Sequence, residues 1–280
     1  MSKIEWTDET WNPVTGCTKV SQGCKHCYAE TIAKRMWATQ YPPNGDGTPR
    51  KFTDVRCHPD RLDQPLRWRK PRRVFVNSMS DLFHEDVSDK FIAKTWVRMV
   101  CAKQHTFQVL TKRPERMSAL LSTDWRIQAG WPFMPAPNVW LGVSVENQAA
   151  ADERIPLLLQ TPAAVRFVSC EPLLGRLDLR PALLGPLTGE GPLNDSVIGL
   201  PTMDWVIVGG ESGPGARPMR DEWAWEIVQH CKQADVPVFV KQLGGHPDKR
   251  GDIGLFPESL RIRQWPDSPS DGPGRAGINE

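Results

Sequence analysis

Three cysteines, Cys17, Cys24 and Cys27, lie close together near the start of the chain in the pattern C-x6-C-x2-C. Thiolates are the preferred ligands of soft metal ions and of iron–sulfur clusters. Gly16 and Gly23 lie beside two of these cysteines and would let the chain fold closely around a bound group. Three thiolates can hold three irons of a [4Fe–4S] cluster and leave the fourth iron open for chemistry. We call residues 16–28 the cysteine loop.

Tetrahedral zinc is the main alternative, with the three cysteines and His26, Cys57 or His58 as the fourth ligand. Zinc sites of this kind usually combine two short ligand pairs. The sequence has one such pair, Cys24 and Cys27, and contains no second C-x2-C and no H-x3-5-H pattern. The spacing therefore favours a cluster, while zinc and unbound thiols stay open as alternatives.

The composition indicates a soluble protein of a reducing compartment. The chain has 280 residues, a formal net charge of +2 and no N-terminal apolar run that would act as a signal peptide or membrane span. We therefore expect a cytoplasmic protein with no membrane partner, in which the seven cysteines are reduced thiols. The charge is too small to indicate nucleic-acid binding by itself.

Short apolar runs alternate with amphipathic helices along the chain, which predicts an α/β fold with a parallel sheet buried on both faces. The predicted strands lie at 10–15, 74–76, 107–110, 139–143, 165–168, 205–208 and 236–240. The main predicted helices lie at 27–38, 58–68, 89–103, 113–121 and 147–159, with another around 224–231. Six to seven parallel strands suit either a doubly wound sheet or a partial (β/α) barrel.

We expect a single (β/α) domain over residues 1–253 that includes the cysteine loop. A Gly/Pro/Leu-rich insert at 173–202 has the composition of a loop. The C-terminal tail, 254–280, ends in a Pro/Ser/Gly/Asp-rich stretch that is predicted to be partly disordered.

Polar residues follow most of the predicted strands, at the edge where a parallel sheet gathers reactive groups. They are Asp81, Lys112, Arg113, Glu146, Asn147, Glu171, Glu211 and Lys241. Lys112 and Arg113 could neutralise a carboxylate or phosphate. Carboxylates such as Asp81, Glu146 and Glu171 could hydrogen-bond a ribose or an amine. Each could also be solvated, cap a helix or pair with a neighbouring arginine.

A basic run at 67–73 surrounds Trp68, and arginine with an aromatic ring can stack on bases. Most of the twelve tryptophans in the chain, among them Trp96, Trp140 and Trp205, fall at predicted core positions. Nucleic-acid binding therefore remains an open prediction.

Several longer motifs resemble a family of phage- and prophage-associated three-Cys-motif proteins of unknown function. They are the segment 6–30 with its cysteines, NSMSDLFH (77–84), LTKRPER (110–116), GVSVE (142–146), SCEPL (169–173) and GGESGP (209–214). The plan is similar to that of radical S-adenosylmethionine (SAM) enzymes, although their commonest spacing is C-x3-C-x-aromatic-C. This resemblance implies a partial (β/α) barrel, a cluster loop after the first strand, and SAM bound to the open iron.

Gly209, Gly210 and Glu211 resemble the glycine-glycine-glutamate element that holds the amino group of SAM in that superfamily. A tight strand-to-helix turn would explain the same residues.

The sequence therefore predicts a radical-SAM-like enzyme with a [4Fe–4S] cluster and SAM that generates a substrate radical. The phage association suggests a nucleic-acid or nucleotide substrate, and the reaction would need an electron donor. The alternative is a non-catalytic module, stabilised by a cluster or zinc, that binds nucleic acid or protein. A metal-free barrel hydrolase is a third hypothesis.

Overall fold

A parallel sheet dominates the computed structural model, which describes residues 4–40, 43–122, 135–185, 202–213, 215–244 and 250–267. The strands in chain order are β1 (Glu9–Trp11), β2 (Val14–Thr15), β3 (Arg56–Cys57), β4 (Arg73–Val76), β5 (Thr106–Thr111), β6 (Val139–Ser144), β7 (Val165–Cys170), β8 (Trp205–Gly209) and β9 (Val238–Gln242). Within these ranges β1 and β4 to β9 form one seven-stranded sheet, and β2 pairs with β3 in a separate antiparallel ladder.

The strands of the large sheet lie in the order β1-β4-β5-β6-β7-β8-β9, and every neighbouring pair is parallel. The order of these strands in the sheet is therefore the same as their order in the chain. The sheet lacks the reversal of strand order that defines a doubly wound fold. The sheet curls into a half-barrel. The predicted partial (β/α) barrel is confirmed, and the doubly wound alternative is not.

The helices in chain order are α1 (Tyr28–Gln40), α2 (Asp89–Cys101), α3 (Pro114–Leu121), α4 (Gln148–Gln160), α5 (Arg180–Leu184) and α6 (Asp221–Ala234). Ser88 caps α2 and Asn147 caps α4, as the sequence predicts. Their side-chain oxygens accept hydrogen bonds from the N–H groups of Phe91 (3.3 Å) and Ala150 (3.0 Å). In the described part of the chain, no helix combines the length and apolar character needed to cross a membrane.

Three predicted elements differ in the structure. The strand predicted over 10–15 is divided into β1, which joins the large sheet, and β2, which pairs with β3. Two 3-10 turns, Pro59–Arg61 and Pro65–Arg67, replace the helix predicted over 58–68. Proline lacks a backbone N–H and its ring clashes with the preceding turn, so Pro65 stops a helix that starts at Pro59. The insert at 173–202 contains the short helix α5 rather than only loop, and its remainder at 186–201 lies outside the described residues.

Helix α1 buries a different face from the one predicted. The spacing predicts that Ile32 and Met36 are buried together with Ala29 and Ala33. The structure buries Ala29, Ala33 and Trp37, and leaves Ile32 and Met36 38% and 40% exposed. Burial of the tryptophan removes more apolar surface from water, which explains why this face is preferred.

Aromatic side chains fill the face of the sheet opposite the helices. They are Trp6, Phe75, Trp140, Phe167, Trp205 and Phe239. The rings of Trp140 and Trp205 meet edge to face, with centroids 5.8 Å apart. The other face carries aliphatic residues that pack against the helices. The sheet is therefore buried on both sides, as its apolar strands predict.

Both ends of the described chain contribute to this packing. The Trp205 indole donates to the carbonyl oxygen of Gln264 at 2.8 Å, and the Trp265 indole donates to that of Trp6 at 3.3 Å. Phe256 and Leu260 are buried in the helix-side core. The packed domain thus extends beyond residue 253, where the sequence predicts a tail, and the stretch 268–280 lies outside the described residues.

Replacement of Gly142 by alanine should destabilise the sheet. A Cβ on this β6 residue would lie 2.5 Å from the Phe167 ring, which is fully buried. We expect Gly142→Ala to lower the free energy of unfolding by about 1–3 kcal/mol, as overpacked cores do. Urea unfolding followed by tryptophan fluorescence measures the loss. Gly175→Ala is the control, because nothing lies within 4 Å of a Cβ there. Equal stability of the two variants would contradict this packing.

Candidate functional site

Gly16 begins the cysteine loop in a conformation that favours glycine. Its φ is +95°, and a Cβ here would lie 2.7 Å from the Asp54 carbonyl oxygen and 2.9 Å from that of Phe52. The N–H of Cys17 donates to the same Phe52 oxygen at 2.9 Å, and Gly16 forms a β-bridge with Ser80. The loop is therefore tied at its start to the chain around residues 52–55 and to the segment that follows β4.

The three thiols of the loop are free and half-buried. Burial and then the Asp81 carboxylate raise the pKa of Cys17 to about 12, while the Arg113 guanidinium opposes the rise. The Cys24 thiol adds a small increase, so the Cys17 and Cys24 sulfurs lie within electrostatic range of each other. Because metals bind the thiolate, binding at Cys17 must displace its proton.

Arg113, which follows β5, holds the first part of the loop. Its Nε donates to Glu85 at 3.0 Å, and its Nη2 donates to the Thr18 hydroxyl at 2.9 Å and the Thr18 carbonyl at 3.3 Å. Its Nη1 lies 3.4 Å from Asp81 and 3.6 Å from the Cys17 sulfur. Asp81 is itself buried and accepts from the Thr111 hydroxyl at 2.8 Å.

Glu146, which follows β6, holds the middle of the loop. Its carboxylate accepts from the N–H of Gly23 at 3.2 Å and pairs with Arg154 of α4 at 3.0 Å. Burial opposes its ionisation, yet hydrogen bonds from Ser21 and Gly23 and the charges of Arg154 and Lys112 lower its pKa below the usual range. A Cβ on Gly23 would lie 3.0 Å from this carboxylate, so glycine permits the close approach.

Glu211, which follows β8, holds the second half of the loop. It accepts from His26 Nδ1 at 2.9 Å and forms a two-pronged ion pair with Arg217. Arg217 in turn donates to the carbonyl oxygen of Gln22 at 3.0 Å. Burial would raise the pKa of Glu211, but the hydrogen bonds from Arg217 and His26 lower it. The carboxylate therefore stays charged and fixes the His26 ring.

Glu171, which follows β7, contacts the end of β9, two strands along the sheet. It pairs with Lys241 Nζ at 2.5 Å and accepts from Gln242 at 3.3 Å. Lys112 donates to the Ser144 hydroxyl at 2.7 Å. In the part of the chain that the structure describes, Lys112 forms no ion pair, and its ammonium is half-buried. Lys112 is therefore the strand-end cation best able to meet an anion.

The two glycines of the Gly-Gly-Glu element are accounted for by packing at the strand end. A Cβ on Gly210 would lie 2.5 Å from the carbonyl oxygen of Gly244, and its N–H donates to Gln242 at 3.1 Å. The carbonyl oxygen of Gly209 accepts from the N–H of Leu173 at 2.9 Å. These backbone contacts tie the end of β8 to distant segments and do not form the tight strand-to-helix turn that was the alternative to SAM binding, because α6 begins only at Asp221.

The structure thus brings Asp81, Arg113, Glu146 and Glu211 to one edge of the sheet around the cysteine loop. Sequence reasoning missed Arg217, whose contact with Glu211 depends on tertiary structure. His84, the last residue of the motif at 77–84, is fully buried and bonds the Thr18 hydroxyl through Nε2 at 2.8 Å.

The donor set of the loop, three thiols, is chemically suited to an iron–sulfur cluster. Among the described residues, no three histidine, cysteine or acidic side chains converge to hold one metal ion. A cluster binds each thiolate to a separate iron, so its ligands need not converge on one point. Of the proposed fourth zinc ligands, His26 bonds Glu211 through Nδ1, which leaves Nε2 for a metal, and His58 bonds the Thr15 hydroxyl through Nε2 at 2.7 Å.

The basic run at 67–73 is partly committed to structure. Arg72 pairs with Glu9 at 3.0 Å and lies over the Trp68 ring. Arg73 pairs with Asp8 at 3.6 Å. Arg67, Arg69 and Lys70 are exposed, and no described acidic residue pairs with them. The Trp68 ring packs partly against the core and under Arg72, which leaves less of it available for stacking on a base.

Removal of the Glu146 carboxylate should be strongly destabilising. In Glu146→Ala the Arg154 side chain, 4% exposed, loses its ion-pair partner, and we expect a loss of about 3–5 kcal/mol in the free energy of unfolding. Glu226→Ala is the control, because its partner Arg176 is 74% exposed and such pairs contribute about 0–1 kcal/mol. Similar urea midpoints for the two variants would contradict the role of Glu146.

Comparison with known proteins gives one match. Searches of curated proteins and of solved structures find no significant match. A family model described as a protein of unknown function (DUF5131) matches residues 1–266. The chain therefore belongs to the DUF5131 family of proteins of unknown function.

Proposed function

We propose that this protein is a radical-SAM-like iron–sulfur enzyme in which Cys17, Cys24 and Cys27 hold a [4Fe–4S] cluster. The observation that carries the proposal is the position of three free thiols on one loop, anchored at the polar edge of a parallel half-barrel. The motif resemblance to phage-associated three-Cys proteins, and through them to radical-SAM enzymes, supports it. A reducing cytoplasm is the setting in which such thiols stay available.

A cluster with an open iron would supply one-electron chemistry to SAM, which makes hydrogen abstraction from a substrate possible. The protein's own residues position and shield this chemistry. Glu146 and Glu211 fix the loop through Gly23 and His26. Lys112 offers an ammonium to the SAM carboxylate.

The proposal also includes a substrate and an electron donor. The phage resemblance favours a nucleic acid or nucleotide, and the exposed cations at 67–70 could contact phosphate. One-electron chemistry requires an electron donor. A cluster- or zinc-stabilised binding module is the competing function, and the two experiments below separate it from the enzyme.

Anaerobic reconstitution should load about four irons per chain if the loop holds a [4Fe–4S] cluster. Cys17→Ala, Cys24→Ala and Cys27→Ala should each reduce the iron content sharply, as measured by iron and sulfide analysis. Cys101→Ala is the matched control, because this exposed cysteine at the end of α2 lies outside the loop. Zinc in the purified protein, or equal iron in all variants, would rule out the proposed cluster.

Addition of SAM should change the EPR spectrum of the reduced cluster. Lys112→Gln should weaken SAM binding about tenfold or more, because a hydrogen bond to a charged group contributes about 1.5–3 kcal/mol. Lys90→Gln, a change of an exposed lysine on α2, should leave the affinity unchanged. A cluster whose spectrum ignores SAM would favour the binding module, and equal affinities of the two variants would remove Lys112 from the site.

A further inference from the structure

The Arg113 side chain has all five of its N–H donors engaged. A guanidinium carries one N–H on Nε and two on each terminal nitrogen. Nε meets Glu85, Nη1 meets Asp81 and the Cys17 sulfur, and Nη2 meets the hydroxyl and the carbonyl of Thr18. Arg113 is only 8% exposed. It therefore has no donor left for an incoming carboxylate or phosphate, contrary to the role predicted from its position.

We infer that Arg113 is a positioning residue, which donates an N–H to the Cys17 sulfur and raises the reduction potential of the cluster bound there. This inference rests on the proposed function. A cluster-bound sulfur carries negative charge, and a hydrogen bond from a cation stabilises that charge most when the cluster is reduced. Hydrogen bonds to the sulfurs are among the factors that set cluster potentials.

The contact distinguishes Cys17 from the other two cysteines. Among the described residues, the Cys24 sulfur contacts the neutral Ser21 hydroxyl at 4.0 Å. Within the described ranges, no donor meets the Cys27 sulfur. The cationic donor thus acts on one ligand of the set, and its effect can be tested at one residue.

A chain of hydrogen bonds with one consistent polarity holds the guanidinium in place. His84 Nδ1 accepts from the N–H of Asp86 at 3.1 Å, so in the neutral ring the proton lies on Nε2. Nε2 then donates to the Thr18 hydroxyl at 2.8 Å. That hydroxyl donates to Glu85 at 3.2 Å and keeps a lone pair for Arg113 Nη2.

The test is the midpoint potential of the reconstituted cluster, measured by EPR-monitored redox titration. Arg113→Lys keeps the charge but loses the planar fork, so the hydrogen bond to sulfur is lost and the potential should become more negative. Arg180→Lys is the matched control in α5, because the Arg180 guanidinium pairs with both carboxylate oxygens of Asp178 and none of its described contacts is to a cysteine. Its potential should equal that of the wild type.

An unchanged potential in Arg113→Lys would overturn the inference and leave the proposed function standing. Failure of the wild type to form a cluster would overturn both. If Arg113→Lys does not fold, Thr18→Val replaces it, because Thr18 is half-exposed and its hydroxyl holds Nη2. A negative shift in Thr18→Val supports the inference, and a wild-type potential overturns it.

Discussion

The site depends on buried charge at the carboxyl edge of the sheet. Asp81, Arg113, Glu146 and Glu211 are each less than a tenth exposed, and an isolated buried charge is strongly unfavourable. Arg113, Glu146 and Glu211 each find part of their hydrogen bonding on the cysteine loop, and Asp81 pairs with Arg113. The loop contains only one short 3-10 turn of its own at Gln22–Cys24, so these side chains define its path. The burial of these charges and the ordering of the loop therefore depend on each other.

The half-barrel places these charged residues close enough together to contact one loop. Because β5, β6 and β8 run parallel in one curled sheet, the residues that follow them emerge at the same edge. Arg113, Glu146 and Glu211 then contact the beginning, middle and second half of one thirteen-residue loop, 16–28. Glycine permits the closest contacts: a side chain at Gly23 would meet the Glu146 carboxylate.

The strands and helices could be predicted from the sequence better than the side-chain contacts of the site. Uninterrupted apolar runs identified the parallel strands because both faces of the sheet are buried, and the caps Ser88 and Asn147 located two helices. The partners of Glu211 were not predictable, because Arg217 and His26 reach it from separate loops whose path depends on tertiary structure. The buried face of α1 was mispredicted for a related reason: periodicity cannot tell which apolar stripe, that of Ile32 or that of Trp37, finds a surface to pack against.

Lys112 and Arg113 show most clearly why the roles of neighbouring residues at a strand end can be assigned only from a structure. Both are cations directly after β5, and their position in the sequence predicts the same role for both. Consecutive residues leave a strand in different directions. One side chain enters the cysteine loop, where five acceptors surround its rigid fork. The other reaches the neutral Ser144 hydroxyl and retains two unused donors among the described residues. The Arg113 charge therefore stabilises the folded loop, whereas the Lys112 charge is available to attract a ligand.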